Sequence, residues 1–234
     1  MPLCVRCGDA LGSIELESDI ETCRPCRLAT PLFTRAVSFG PYEGRMRDAI
    51  HALKYARIHS VARLLGAMLA QAIGQLAAEA PLEMLVIPVP LHRSKYSERG
   101  FNQARLLAAH ALDGLRRSHP QWRLTLASSA LLRLRATQSQ ANLTPRLRRQ
   151  NVRGAFLVAE PQAVMLKHVL VIDDIFTTGS TVRAIAQELA LAGAASVWVA
   201  TLARAGRTLQ ETNPSIHRGE LVESMHSSVN QPSF

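Results

Sequence analysis

The chain has 234 residues, 47% of them apolar, and 27 Lys+Arg against 18 Asp+Glu leave a net charge of +9. This composition excludes global disorder, and no apolar run approaches the ~20 residues that a membrane helix needs. The opening MPLCVRCG has neither the basic start nor the apolar stretch of a secretory signal, so a cytoplasmic protein is expected, with its four cysteines as thiols or metal ligands rather than disulfides.

Residues 1–30 differ from the rest. They hold all four cysteines, as Cys4-x-x-Cys7 and Cys23-x-x-Cys26 with fifteen residues between the pairs. Paired C-x-x-C units can place four thiolates tetrahedrally around one Zn²⁺. Gly8 follows the first pair and Pro25 restricts the second. The spacing predicts a structural zinc on Cys4, Cys7, Cys23 and Cys26. The ion would fold a segment with too few apolar residues for a core of its own. A redox role competes with this reading, but neither pair sits in a βα turn. Four protein ligands leave no open position for catalysis at the metal.

From Ala36 the pattern is globular. Met46 to Ala80 has helical spacing, interrupted near His59–Ser60. Met84 to Val89 reads as a buried strand ended by Pro88 and Pro90. His92–Gly100 reads as a polar loop and Arg99 to Leu115 as a helix. Leu124 to Arg135 is expected to hold one or two strands, and Phe156–Val158 another. Between Gly114 and Ala159 there is no acid, and the nine arginines there equal the whole surplus of +9. Such a cluster points to an anionic partner, either phosphate esters or nucleic acid. Val169–Ile172 reads as a strand, Ser180–Ala192 as a helix and Ser196–Leu202 as a strand. That order is a βαβ unit and implies a parallel sheet with helices on its faces. Residues 205–234 are polar and without periodicity, and read as a disordered tail.

The most informative segment is VLVIDDIFTTGSTV, Val169 to Val182. An apolar strand ends in Asp173 and Asp174, and Thr177-Thr178-Gly179-Ser180-Thr181 opens a helix. Backbone N–H groups at a helix start face an anion, aided by the dipole. The hydroxyls add donors, and Gly179 permits a positive φ and close backbone approach. The two carboxylates can accept hydrogen bonds from neighbouring sugar hydroxyls and help hold Mg²⁺. The plainer reading is a capped helix beside a solvated Asp173. No G-x-x-x-x-G-K-[ST] is present, and no G-x-G-x-x-G follows a strand.

VLVIDDIFTTGST resembles the 13-residue phosphoribosyl-pyrophosphate (PRPP) motif of type I phosphoribosyltransferases. The cysteine pairs, YEGRMRDAIHALKY, VIPVPLHRSKYSERGFNQA and LLRLRATQSQANLTPRLRRQNVRGAF follow the ComF family in order, over about residues 1–204. The resemblance implies an α/β type I phosphoribosyltransferase fold, with a parallel sheet flanked by helices over 36–204. A small zinc-ribbon-like module over 1–30 would precede it. It implies PRPP held by Asp173, Asp174, Thr177, Thr178, Gly179, Ser180 and Thr181, with Mg²⁺ bridging pyrophosphate and sugar hydroxyls. By position, Val89, Pro90, Leu91, His92 and Arg93 form the pyrophosphate loop. Pro88 and Pro90 remove backbone donors there, which Arg93, Lys95 and Arg99 could replace with charge. Asn102 and Gln103 either orient this loop or begin the next helix. A flexible loop over Arg133 to Arg153 would close on the site, with Thr137, Gln140, Arg148 and Asn151 matching the family pattern and Arg148 joining Asp173 and Asp174 as catalytic. Lys54-Tyr55 is a further match, for which packing is at least as good a reading as phosphate contact.

The implied reaction is pentosyl transfer from PRPP to an acceptor, with pyrophosphate release, linked to DNA uptake in competence. A silent module that senses PRPP or a nucleotide and binds single-stranded DNA or competence partners is the alternative. A PRPP-sensing transcriptional regulator is a third. Aromatics at 5% offer few stacking platforms for DNA, and Arg116, Arg117 and Arg123 lie outside the lid.

Overall fold

A computed structural model describes residues 2–13, 15, 20–56, 58, 60–136, 152 and 154–206. Among the described residues the strands are β1 Arg35–Pro41, β2 Glu83–Pro88, β3 Arg123–Leu126, β4 Leu131–Arg133, β5 Phe156–Val158, β6 His168–Phe176 and β7 Ser196–Arg204. The helices are α1 Arg24–Leu28, α2 Gly44–Tyr55, α3 Val61–Gly74, α4 Arg93–Arg99, α5 Gln103–Ser118, α6 Pro161–Val164 and α7 Ser180–Leu191. Five strands form one sheet in the order β1-β7-β6-β2-β3, and every pair in it is parallel. The β4–β5 pair is antiparallel and separate.

The central strands are apolar runs because both their faces are covered. Val169 to Ile172 and Val197 to Ala203 are buried throughout. One face carries α2, α3 and α5, whose Ile50, Leu53, Leu65, Leu69, Leu107 and Leu115 meet Val86, Leu170 and Ala200. Helices α3 and α5 approach so closely that a Cβ at Gly66 would overlap that of His110. The other face carries α7 through Val182, Ile185 and Leu189, with Leu131 and Phe156 of the β4–β5 pair. Cys4, Cys7, Cys23, Cys26 and Phe33 join this second core.

The expected parallel sheet is present, with three differences in detail. Arg35–Pro41 is an edge strand that its mixed sequence, RAVSFGP, does not announce. The expected loop His92–Gly100 contains helix α4, which buries none of its residues and so shows no apolar stripe. The strand content of Leu124–Arg135 is divided between the main sheet and the β4–β5 pair.

The strand order places the site. From β2 the chain moves outward to β3, and from β6 it moves the other way to β7. Strands β2 and β6 therefore flank the switch point, where open α/β sheets bind ligands at their carboxyl ends. Pro88 pairs with Ile172 at that edge.

Candidate active site and metal centre

Asp173 and Asp174 occupy the end of β6, and their carboxylates find different partners. Asp174 is 5% exposed, and its Oδ2 lies 2.5 Å from Lys54 Nζ on α2. Burial alone would pull Lys54 down, but Asp174 outweighs it and raises the ammonium above the ordinary lysine value. Asp173 is half-buried and accepts the N–H of Asp174 at 2.9 Å. Burial, then the charge of Asp174, pushes Asp173 up to about 7, against the opposing pull of Lys54. Adjacent strand residues point to opposite sides, so one acid reaches the cation on α2 while the other lies on the opposite face of the sheet.

The loop after β6 turns at Gly179, with φ 74° and ψ 8°. A Cβ there would stand 2.7 Å from Phe176 Cζ, so both the dihedral and the space demand glycine. Thr178 Oγ1 and Ser180 Oγ are 2.8 Å apart, and Ser180 N–H reaches Thr178 Oγ1 at 3.4 Å. Thr177 to Thr181 thus bring four hydroxyls to the start of α7, a twelve-residue helix whose dipole favours an anion at that end.

At the end of β2, both backbone groups of Val89 are engaged within the fold. Its N–H donates to Ile172 O at 2.8 Å, and its carbonyl accepts Asn102 Nδ2 at 3.0 Å. Asn102 Oδ1 caps α5 by accepting from Ala104 N–H at 2.9 Å and Arg105 N–H at 3.3 Å. The two expectations for Asn102 both hold, since it orients this loop and begins the helix. Gln103 accepts from Arg99, whose guanidinium lies 5.6 Å from the Tyr55 ring centre. Lys54-Tyr55 therefore touches both sides of the switch point. Lys95 pairs with Glu98 at 2.7 Å, and among the described residues Arg93 has no polar partner. Pro90, Leu91 and His92 lead into α4, which His92 Nδ1 caps by accepting from Ser94 N–H. The expected lid residues Thr137, Gln140, Arg148 and Asn151 lie outside the described residues.

The four cysteines come together as their spacing predicts. All are buried, and their sulfurs lie within 4.8 Å of one another, Cys7 and Cys23 at 3.6 Å. Thiolates around Zn²⁺ at ~2.3 Å would stand about 3.8 Å apart, so the donor set fits a tetrahedral metal. Sulfurs this close titrate together. Hydrogen bonding to Cys23 pushes Cys7 far above the ordinary thiol range, and hydrogen bonding to Cys26 draws Cys23 down to about 6.

Sequence patterns do not single out Phe176, Arg183 and Arg204. Arg204 Nη2 donates to Cys7 Sγ at 3.5 Å and Arg183 Nη2 to Cys26 Sγ at 3.6 Å. The available signal is position: Phe176 lies inside the acidic motif, Arg183 in the first turn of α7 and Arg204 at the end of β7.

A parallel sheet with an acidic pair and a hydroxyl-rich loop at its switch point defines a type I phosphoribosyltransferase fold. The phosphoribosyl transferase domain model matches residues 144–233. The chain is 34% identical to DNA utilization protein YhgH of Salmonella typhi over 207 residues, 86% of this chain and 84% of that protein. The same-named protein of Escherichia coli (strain K12) is 34% identical over 204 residues, with the same coverage. Competence protein F of Haemophilus influenzae is 28% identical over 207 residues, 87% of this chain and 85% of that one. The chain belongs to the ComF family. Among solved structures, glutamine PRPP amidotransferase from B. subtilis aligns with a TM-score of 0.38 and 23% identity, over 65% of this chain and 30% of that longer one.

Proposed function

We propose that this protein binds PRPP with Mg²⁺ at the switch point and transfers its phosphoribosyl group to an acceptor, in the service of DNA uptake. The 5′-phosphate sits on Thr177–Thr181, where N–H groups, hydroxyls and the α7 dipole converge. Asp173 takes the ribose hydroxyls, and Asp174 joins it when Lys54 shares its carboxylate. Arg93 supplies charge to the pyrophosphate beside Leu91 and His92, and Arg148 of the lid closes over it with Thr137, Gln140 and Asn151. Mg²⁺, carried in with PRPP and held by the acids, supplies neutralisation of the pyrophosphate charge. The C1′–O bond breaks with its electron pair leaving on pyrophosphate, and the acceptor's lone pair adds at C1′. The protein's work is positioning and charge stabilisation. The observation that supports this reading is that Asp173 and Asp174 and the hydroxyl-rich turn after them lie at the end of β6, beside the end of β2.

The cysteine module takes zinc as a structural ion, with all four positions filled by protein. Among the described residues no helix is long and apolar enough to cross a membrane, and the proposed setting is the cytoplasm. The link to DNA draws on the names of the relatives and on the basic run of residues 114–159.

A second reading, PRPP sensing without turnover, draws on the hold of Lys54 on Asp174. Incubating the protein with PRPP, Mg²⁺ and a metabolite extract, followed by mass spectrometry, separates the two. Transfer yields a new ribosylated product with pyrophosphate, and sensing yields neither while binding persists.

A further inference from the structure

Phe176 ends β6 and stands between the phosphate loop and the cysteine module. Its ring meets Phe33 edge-on, with centroids 6.3 Å apart and an interplanar angle of 88°. It also fills the space a side chain at Gly179 would need. The Arg204 guanidinium lies 4.4 Å from its centroid. Arg204 is the register partner of Phe176 at the end of β7 and directs its nitrogens into the module. Nη1 donates to Cys7 O at 2.5 Å, Nη2 to Cys7 Sγ at 3.5 Å, and Nε to Asp9 Oδ1 at 3.2 Å.

Arg183 makes the matching connection from α7. Its backbone N–H donates to Gly179 O at 2.9 Å. Its Nη1 donates to Ala29 O at 2.6 Å, its Nη2 reaches Cys26 Sγ at 3.6 Å, and its guanidinium lies 5.9 Å from the Phe33 centroid. Each C-x-x-C pair thus has one sulfur served by a guanidinium, and each guanidinium belongs to an element that shapes the phosphate loop. Donors to the sulfurs of a metal-bound thiolate set fix the orientation of the ligands, and Arg204 carries Asp9 as its own counter-ion.

We propose that Arg204 and Arg183 are positioning residues that set the phosphate loop through Phe176 and α7, and that they take their own position from the metal-bound state of the cysteine module. The inference rests on the reading of Thr177–Thr181 as the PRPP phosphate site. Loss of the metal from the module then loosens the loop, and PRPP tightens the module, because coupling between two sites is reciprocal.

The test uses the full chain loaded with zinc, comparing wild type, Arg204→Met and Phe176→Leu. Amide exchange over residues 177–183 is measured first, without ligand. Zinc content, PRPP affinity by calorimetry and zinc transfer to a chromophoric chelator with and without PRPP follow. Both variants are expected to exchange about tenfold faster in the loop and to bind PRPP about tenfold more weakly. Phe176→Leu, which removes no hydrogen bond to a cysteine, keeps its zinc. PRPP slows zinc transfer from wild type and has no such effect in the variants, a response that a merely structural role would not show. Wild-type exchange in both variants, or slowing by PRPP preserved in both, overturns the proposal. Wild type that fails to bind PRPP refutes the ligand assignment instead, and the ligand-free exchange comparison still decides the link.

Discussion

Lys54 Nζ stands 2.5 Å from Asp174 Oδ2, tying α2 to the end of β6. Both side chains are largely buried, at 14% and 7% exposure, so removing either partner strands a charge away from water. Lys54→Met is expected to cost about 3 kcal/mol in urea denaturation, and Asp174→Asn less, because the amide oxygen still accepts a hydrogen bond from the ammonium. The double variant Lys54→Met/Asp174→Leu should recover most of the loss. Equal and additive losses would show that the pair is not coupled.

Asp173 gives the site a pH dependence with a defined sign. Its carboxyl is raised from 3.8 to about 7, chiefly by burial. The folded state therefore holds an extra proton between those values, and this group's stabilising contribution is lost as pH rises through that window. Asp173→Asn should raise the stability of the ligand-free protein at pH 8, by on the order of 1 kcal/mol, and by less at pH 5. In the proposed site Mg²⁺–PRPP would need the ionised carboxylate, so wild-type affinity should climb from pH 6 to 7 and flatten above. Calorimetry in buffers of different ionisation enthalpy should show one proton released per ligand near pH 6. A flat affinity profile contradicts the assignment.

Much of this was legible locally and little of it at long range. The acids, the Gly179 turn and the cysteine pairs lie within short windows, so strand and helix periodicity places them without tertiary knowledge. The ion pair of Lys54 needed the packing of α2 beneath the sheet, which no spacing encodes. Arg204 is likewise opaque: in sequence it is one arginine after a strand, and only the fold brings it to Cys7. Helix α4 escaped because Arg93–Arg99 buries no residue, leaving no apolar period to read.

Asn102 joins α5 to the β2 loop, and two substitutions separate these duties. Asn102→Asp keeps the acceptor that caps α5 and loses the donor to Val89 O, whereas Asn102→Ala loses both. Thermal or urea unfolding should show Asn102→Ala destabilised by about 1–2 kcal/mol. Asn102→Asp should retain the α5 amide protection that Asn102→Ala loses, yet weaken PRPP binding to a similar extent. Wild-type PRPP affinity in both would remove the β2 loop from the binding site.

The basic run offers a test of DNA contact apart from the lid. Arg116 and Arg123 border a cavity of about 220 Å³ with Trp122 and Leu124, on the β3 edge of the sheet. If this edge contacts single-stranded DNA, replacing Arg116, Arg117 and Arg123 with Ala should lower the slope of log affinity against log salt by roughly 2. Titrations at several salt concentrations check this. An unchanged slope assigns the salt-dependent contacts to other arginines.

Calorimetry of PRPP with Mg²⁺ against the double variant Asp173→Asn/Asp174→Asn bears most directly on the proposed site. Binding should be lost in the double variant while its zinc content stays at one ion per chain. Undiminished PRPP affinity in that variant would contradict the placement of the ligand at the end of β6.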